Sequence, residues 1–171
     1  MNDAPHKTLI IVWHSRTGAS RQMAQAAHEG ALDIARELNA QHRFEAILSS
    51  AAHTSAKDLL EADGFLFCAP ENLGSLSGEM KEFFDRCYYD VIEKLNGRPY
   101  AVLIAAGSDG QGAVRQTEKI CTGWRLEPIA PPRIVMTHAQ SAEAIAAPKE
   151  IGPEDRAHCK EVGGTLAALL L

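Results

Sequence analysis

The sequence predicts an α/β protein built on one doubly wound, five-stranded parallel sheet of strand order 2-1-3-4-5. Three observations carry this expectation. Short apolar runs recur at Thr8–Trp13, Gly64–Cys68 and Pro99–Ala106, the pattern of strands buried on both faces. Each run leads into a loop of glycine, serine or threonine, and then into a segment whose apolar residues recur at three- and four-residue steps, as on one face of a helix. Strands alternating with helices in this way imply parallel pairing through right-handed crossovers.

Thr8–Trp13 is the first strand. The helix after it shows Met23, Ala26, Ala27, Gly30, Ala31, Ile34 and Leu38 on one face. Arg43–Leu48 reads as the second strand and Lys57–Glu61 as a short helix. Gly64–Cys68, the third strand, ends in a loop from Ala69 to Gly78. The next helix turns Met80, Phe83, Phe84, Cys87, Tyr88 and Val91 inward. Pro99–Ala106 is the fourth strand, with the loop Gly107–Gly112 behind it. Val114, Thr117, Ile120, Cys121 and Trp124 then mark another helix. Pro131-Pro132 breaks the chain before a fifth strand, Arg133–His138. Ala139–Ile151 reads as a loop with room for a few helical turns. Gly152-Pro153 opens the last helix, because proline suits the first helical turn.

The totals narrow the function classes. At 171 residues, 46% of them apolar and 23% charged, the chain reads as a single globular domain spanning 1–171. A net charge of -5 argues against nucleic-acid binding, which needs a basic face. No apolar stretch reaches the roughly 20 residues that cross a bilayer. The start, Met1 to Lys7, lacks the basic-then-apolar layout of a leader peptide, so a cytoplasmic protein is expected. Cys68, Cys87, Cys121 and Cys159 form no C-x-x-C pair and have no metal-ligand spacing, so they read as buried, reduced thiols and no metal site is expected. The loop after Cys68 carries no arginine, which removes a phosphatase nucleophile. No Ser-His-Asp or Cys-His arrangement emerges, and no catalytic side chain is assigned.

In a sheet of this order ligands bind beyond the carboxyl ends of the strands, at the switch between strands 1 and 3. The three special loops follow strands 1, 3 and 4, so they gather at that edge. Ser15-Arg16-Thr17-Gly18-Ala19-Ser20 stands where a strand hands over to a helix N-terminus. Its amide N–H groups and the helix dipole suit a phosphate, while Ser15 or Thr17 is also placed to cap the helix. No Gly-Lys-Ser/Thr follows, so it is not a nucleoside triphosphate cradle. Arg16 or Arg21 adds positive charge. Pro70, Gly74 and Gly78 would shape a loop that meets a planar ring, with Glu71, Asn72 and Leu73 within it and Ser77 capping the helix beyond. Gly107, Ser108, Gly110 and Gly112 would line the ring's other side. His14 ends the first strand, where it would cap the site or touch phosphate, and His138 ends the fifth, where it would protonate a reduced acceptor.

On these residues the chain resembles the flavodoxin-like superfamily, in particular short-chain flavodoxins and NAD(P)H-dependent FMN or quinone reductases. Ser15–Ser20 is similar to that family's T-x-T-G-x-T phosphate loop. Pro70–Gly78 with Met80-Lys81 is similar to its P-T-Y-x-G-x-x-S-G-x-M-K ring loop, and Ala106–Gly112 to its glycine-rich third loop. The resemblance implies FMN as the cofactor, with NAD(P)H and a small electron acceptor as partners. It also implies a homodimer or tetramer, for which Phe83, Phe84, Tyr88 and Tyr89 offer apolar surface. The chain departs from the pattern at Glu71-Asn72, where the family has Thr-Tyr. The usual aromatic ring partner is therefore missing, with Trp13, His14 or Tyr88 as replacements. A negative charge at Glu71, set beside the ring, would lower the potential of a reduced flavin.

Three functions follow as expectations. The first is an FMN-dependent oxidoreductase that passes a hydride from NAD(P)H through flavin to a quinone-like acceptor. The second is an electron carrier that docks a redox protein, although the charge of -5 is mild for steering of that kind. The third is a module of the same fold that holds no cofactor. A receiver domain is excluded, because no paired acidic residues follow the first strand.

Overall fold

The computed structural model describes residues 5–171. Met1–Ala4, on which part of the leader-peptide reading rests, lie outside the described residues. Five parallel strands form the middle of the sheet: β1 (Lys7–Trp13), β2 (Phe44–Ser50), β3 (Gly64–Asn72), β5 (Pro99–Ala106) and β7 (Arg133–Met136). They lie in the order β2-β1-β3-β5-β7, the predicted 2-1-3-4-5. Two short strands complete the set, β4 (Ser75–Leu76) and β6 (Glu127–Pro128).

Alternate strand residues feed two cores. Leu9, Ile11, Leu66, Cys68 and Leu103 face α1 (Ala19–Glu37) and α6 (Pro153–Leu170). Ile10, Val12, Phe65, Phe67 and Ile104 face α3 (Gly78–Val91) and α4 (Gln111–Gly123), with Leu59 of the short α2 (Ala56–Glu61) packed alongside. Burial on both faces explains why these strands read as unbroken apolar runs. Phe67 is the centre of the second core, with the rings of Phe84, Phe83, Tyr100 and Trp124 between 5.0 and 6.5 Å away.

Three expectations are corrected. The segment after Cys68 is not a plain loop: β3 runs on to Asn72 and turns back antiparallel through Leu73-Gly74 into β4. Both turn residues have positive φ, 52° and 73°, as a two-residue hairpin of this hand requires. The fifth strand is shorter and split. β6 pairs with Pro99-Tyr100 and β7 with Leu103–Ala106, because Pro131-Pro132 between them has no N–H to give the ladder. Leu38 and Tyr88 are exposed rather than inward; Leu38 is already the C-cap of α1, and Cys87 and Val91 take the inner face of α3. Within Ala139–Ile151 the helical turns condense into α5 (Ala142–Ala146), capped by the Ser141 hydroxyl, which accepts from the Ala144 N–H.

Candidate functional site

All five parallel strands point their carboxyl ends to one edge, and a cavity of about 780 Å³ opens there, within the size range of small-molecule and cofactor sites. Its floor comes from the turn between β1 and α1. The Ser15 hydroxyl accepts the Gly18 N–H at 3.1 Å, which folds the turn tightly, and Gly18 becomes the N-cap of α1 with φ 104°. No side chain caps this helix and its first turn holds no acidic residue. The amides after Gly18 therefore stand open toward the cavity at the positive end of a 19-residue helix. Ser20 lines the cavity too, yet its hydroxyl is buried with no hydrogen-bond partner. Three other buried polar atoms among the described residues lack partners, on Trp124, Arg133 and His158, but none of those residues lines this cavity. A buried hydroxyl without a partner is costly, and an anion at the helix terminus would satisfy it.

The structure brings most of the predicted site residues together. Ser15, Arg16, Thr17, Ala19 and Ser20 line the floor, and the β3–β4 hairpin supplies Pro70, Glu71, Asn72, Leu73 and Gly74. Gly107 and Ser108 come from the end of β5. Gly18, Gly110 and Gly112 shape the backbone behind these walls instead of lining them. Arg16 is exposed at the rim, whereas Arg21 lies over the Trp13 ring, 5.9 Å from its centroid.

The remaining candidates sit elsewhere. His14 is buried behind the turn between β1 and α1. With its Nε2–H donated to the Glu79 carboxylate at 3.2 Å, Nδ1 accepts from the Ser77 hydroxyl at 2.8 Å. Ser77 is the N-cap residue of α3, but its hydroxyl serves His14 and not the helix amides. Burial pushes the His14 pKa below its usual 6.5; Glu79 opposes the shift and Arg16 adds to it. His138 is exposed in left-handed backbone, and neither it, Trp13 nor Tyr88 lines the cavity. The four thiols are buried. Burial raises Cys87 to about 11 and Cys159 to about 12, and pushes Cys68 and Cys121 well above the ordinary thiol value, so none is a nucleophile at neutral pH.

A fourth wall was not anticipated. Thr137, Ala139, Ile145, Ala146 and Lys149 close the cavity from the segment after β7. This strap is tied to α1 and the turn before it: the Lys149 N–H donates to Thr17 O at 2.7 Å, and Gln22 donates to Lys149 O while accepting from the Ile151 N–H. The Lys149 ammonium folds back onto the Ala144, Ile145 and Ala147 carbonyls, the C-terminal end of α5, where a cation is favoured.

A model of the family described as NADPH-dependent FMN reductase matches residues 9–141, which hold three of the walls whole and the fourth as far as Ala139. The chain belongs to that family. FMN is accordingly its cofactor, and the open helix terminus, the partnerless Ser20 hydroxyl and the volume beside them fit a phosphate with a flat ring attached. Over 61% of this chain and 52% of its own length, a flavodoxin of Aquifex aeolicus is 30% identical. An NAD(P)H dehydrogenase (quinone) of Acidithiobacillus ferrooxidans is also 30% identical, over 46% of each chain. The chain spans about half the length of these curated relatives. A flavodoxin from the domain Archaea superposes with a TM-score of 0.73 at 16% identity, over 95% of this chain and 98% of that one. The fold is thus flavodoxin-like. No helix among the described residues is long and apolar enough to cross a membrane, and no cluster of metal-ligating side chains occurs among them.

Proposed function

We propose that this protein is an FMN-dependent oxidoreductase of the cytoplasm that takes electrons from NAD(P)H and delivers them to a quinone-like or other small acceptor. The observation that carries the reading is the uncapped α1 terminus with the partnerless Ser20 hydroxyl at the foot of a cavity large enough for a nucleotide. Bound FMN supplies a ring that accepts a hydride and stores two electrons. The chain's residues bind and orient. The amides after Gly18 and the Ser15, Thr17 and Ser20 hydroxyls hold the phosphate, and Arg16 adds charge at the rim. Leu73 of the hairpin and Ile145 of the strap, both exposed and both on the cavity wall, give the ring apolar contact where the family's aromatic residue is missing. No side chain here acts as a nucleophile, which suits chemistry lodged in a cofactor. Tyr88, Tyr89 and Ile92 form an exposed apolar end of α3 on which two copies of the chain meet.

Titration of the apoprotein into FMN, followed by flavin fluorescence, tests the site. Saturable quenching is expected, weakened at least tenfold in a Thr17→Ala, Ser20→Ala double variant, since two hydrogen bonds to a charged group are lost. Absence of quenching at micromolar protein would sink the reading. The kinship with a protein named flavodoxin supports a second one, an FMN carrier that docks a protein. Rapid reduction of the bound flavin by NADPH or NADH selects the enzyme; inertness to both selects the carrier.

A further inference from the structure

The ring hairpin and the helix behind the third loop are joined by one carboxylate. Glu71 leaves the end of β3, and its Oε1 accepts the Gly110 N–H at 2.9 Å while its Oε2 accepts the Ala113 N–H at 3.1 Å. Those amides belong to the N-cap and the third residue of α4, a helix whose own cap is a glycine and whose first turn holds no acidic residue. Glu71 therefore stands, from a distant part of the chain, where a capping side chain would stand, with its charge against the positive end of the helix.

Two further contacts tie the same pieces together. Gln116 of α4 accepts the Leu76 N–H at 2.8 Å. A Cβ at Gly112 would lie 1.8 Å from the Gly74 carbonyl oxygen, so only glycine lets the first turn of α4 approach the hairpin this closely.

We propose that Glu71 is a positioning residue, clamping the β3–β4 hairpin onto the N-terminus of α4. Two walls of the cavity are held as one body before any ligand enters. The carboxylate charge then faces the helix amides, so its effect on the flavin's potential is expected to be small. The clamp belongs to the chain itself; its consequence for flavin rests on the function proposed above.

Amide hydrogen exchange on the full chain without flavin tests the clamp directly. The Gly110 and Ala113 amides are expected to be protected in the wild type and to exchange about five- to tenfold faster in Glu71→Ala, the factor that loss of a helix cap corresponds to. Glu71→Gln keeps one accepting oxygen and is expected to recover protection at one of the two amides. Gly112→Ala, with Glu71 intact, forces the hairpin off α4 and is expected to expose both. Unchanged protection in Glu71→Ala overturns the clamp. With FMN, Glu71→Ala is expected to weaken the oxidised and reduced forms by the same factor, leaving the midpoint potential where it was. A rise in potential from preferential binding of reduced flavin overturns the assignment of the charge to the helix. If the wild type binds no FMN, the proposed function falls while the exchange experiment still decides the clamp.

Discussion

At His14 the end of the first strand is fastened to α3 beside the β3–β4 hairpin, through Ser77 and Glu79. Burial is the largest influence on this imidazole and lowers its pKa from 6.5. As pH falls below 6.5 the unfolded chain takes up the proton first, so protons favour unfolding. The stability tied to a neutral His14 is complete above 6.5 and is lost as pH falls toward the lowered folded value. The urea midpoint of the wild type is expected to drop over this range more steeply than that of His14→Gln; parallel curves would refute the assignment. Leu73 presents a different residue-scale conflict. It holds φ 52° while fully exposed at the cavity mouth, a conformation that costs an L-residue about 1–2 kcal/mol. Glycine there escapes that strain but adds about 0.5–1 kcal/mol of backbone entropy cost. Leu73→Gly is thus expected to stabilise the fold by up to about 1 kcal/mol, and to weaken FMN binding by removing an apolar wall. Thermal denaturation and flavin titration of the same variant check both signs.

Among the elements, the α1–α6 pair fixes where the turn between β1 and α1 sits. A Cβ at Gly163 would lie 1.9 Å from Ala27 O, and one at Gly30 2.0 Å from Lys160 O. Alanine in a helix is worth about 1 kcal/mol over glycine, whereas forcing packed backbones apart costs about 1–3 kcal/mol or more. With backbone on the far side there is no flexible side chain to yield, so the clash wins. Gly163→Ala is expected to lower stability by about 2 kcal/mol in chemical denaturation, and to weaken FMN binding as α1 shifts; a stabilised variant would contradict the packing. The same elements show what the sequence disclosed. β1, β3 and β5 were legible because burial on both faces writes unbroken apolar runs, and the first and third cavity loops because hydroxyls and glycines follow those strands. The hairpin was hidden by Leu73, which stands where asparagine or glycine usually signals a two-residue turn. The split fifth strand was masked by its prolines. The strap wall carries no motif: Thr137 is placed by its bonds to Ala106 O, and the segment to Lys149 by its bonds to Thr17 and Gln22. Likewise Glu71 reads as a charge beside a ring until the position of α4 is known.

For the molecule as a whole, contact between copies is expected at the apolar end of α3. Most large apolar side chains are buried in the two cores, yet Tyr89 is 83% exposed and its neighbours Tyr88 and Ile92 are each 40% exposed. Scattered apolar residues on a surface are ordinary, but these three gather at the end of one helix. Tyr88 and Tyr89 are also already ordered edge-to-face, their centroids 5.2 Å apart, so less side-chain freedom remains to be lost on association. A twofold contact would use each side chain twice. Against it stands a net charge of -5 on each copy, a repulsion that salt screens. A dimer that forms in the micromolar range and tightens with added salt is therefore expected in sedimentation velocity. Tyr89→Ser with Ile92→Ser is expected to leave a monomer whose FMN affinity is unchanged, because neither residue lines the cavity. A wild type that stays monomeric with FMN at every concentration and salt would refute this face. A dimer that survives the double substitution would place the contact elsewhere on the molecule.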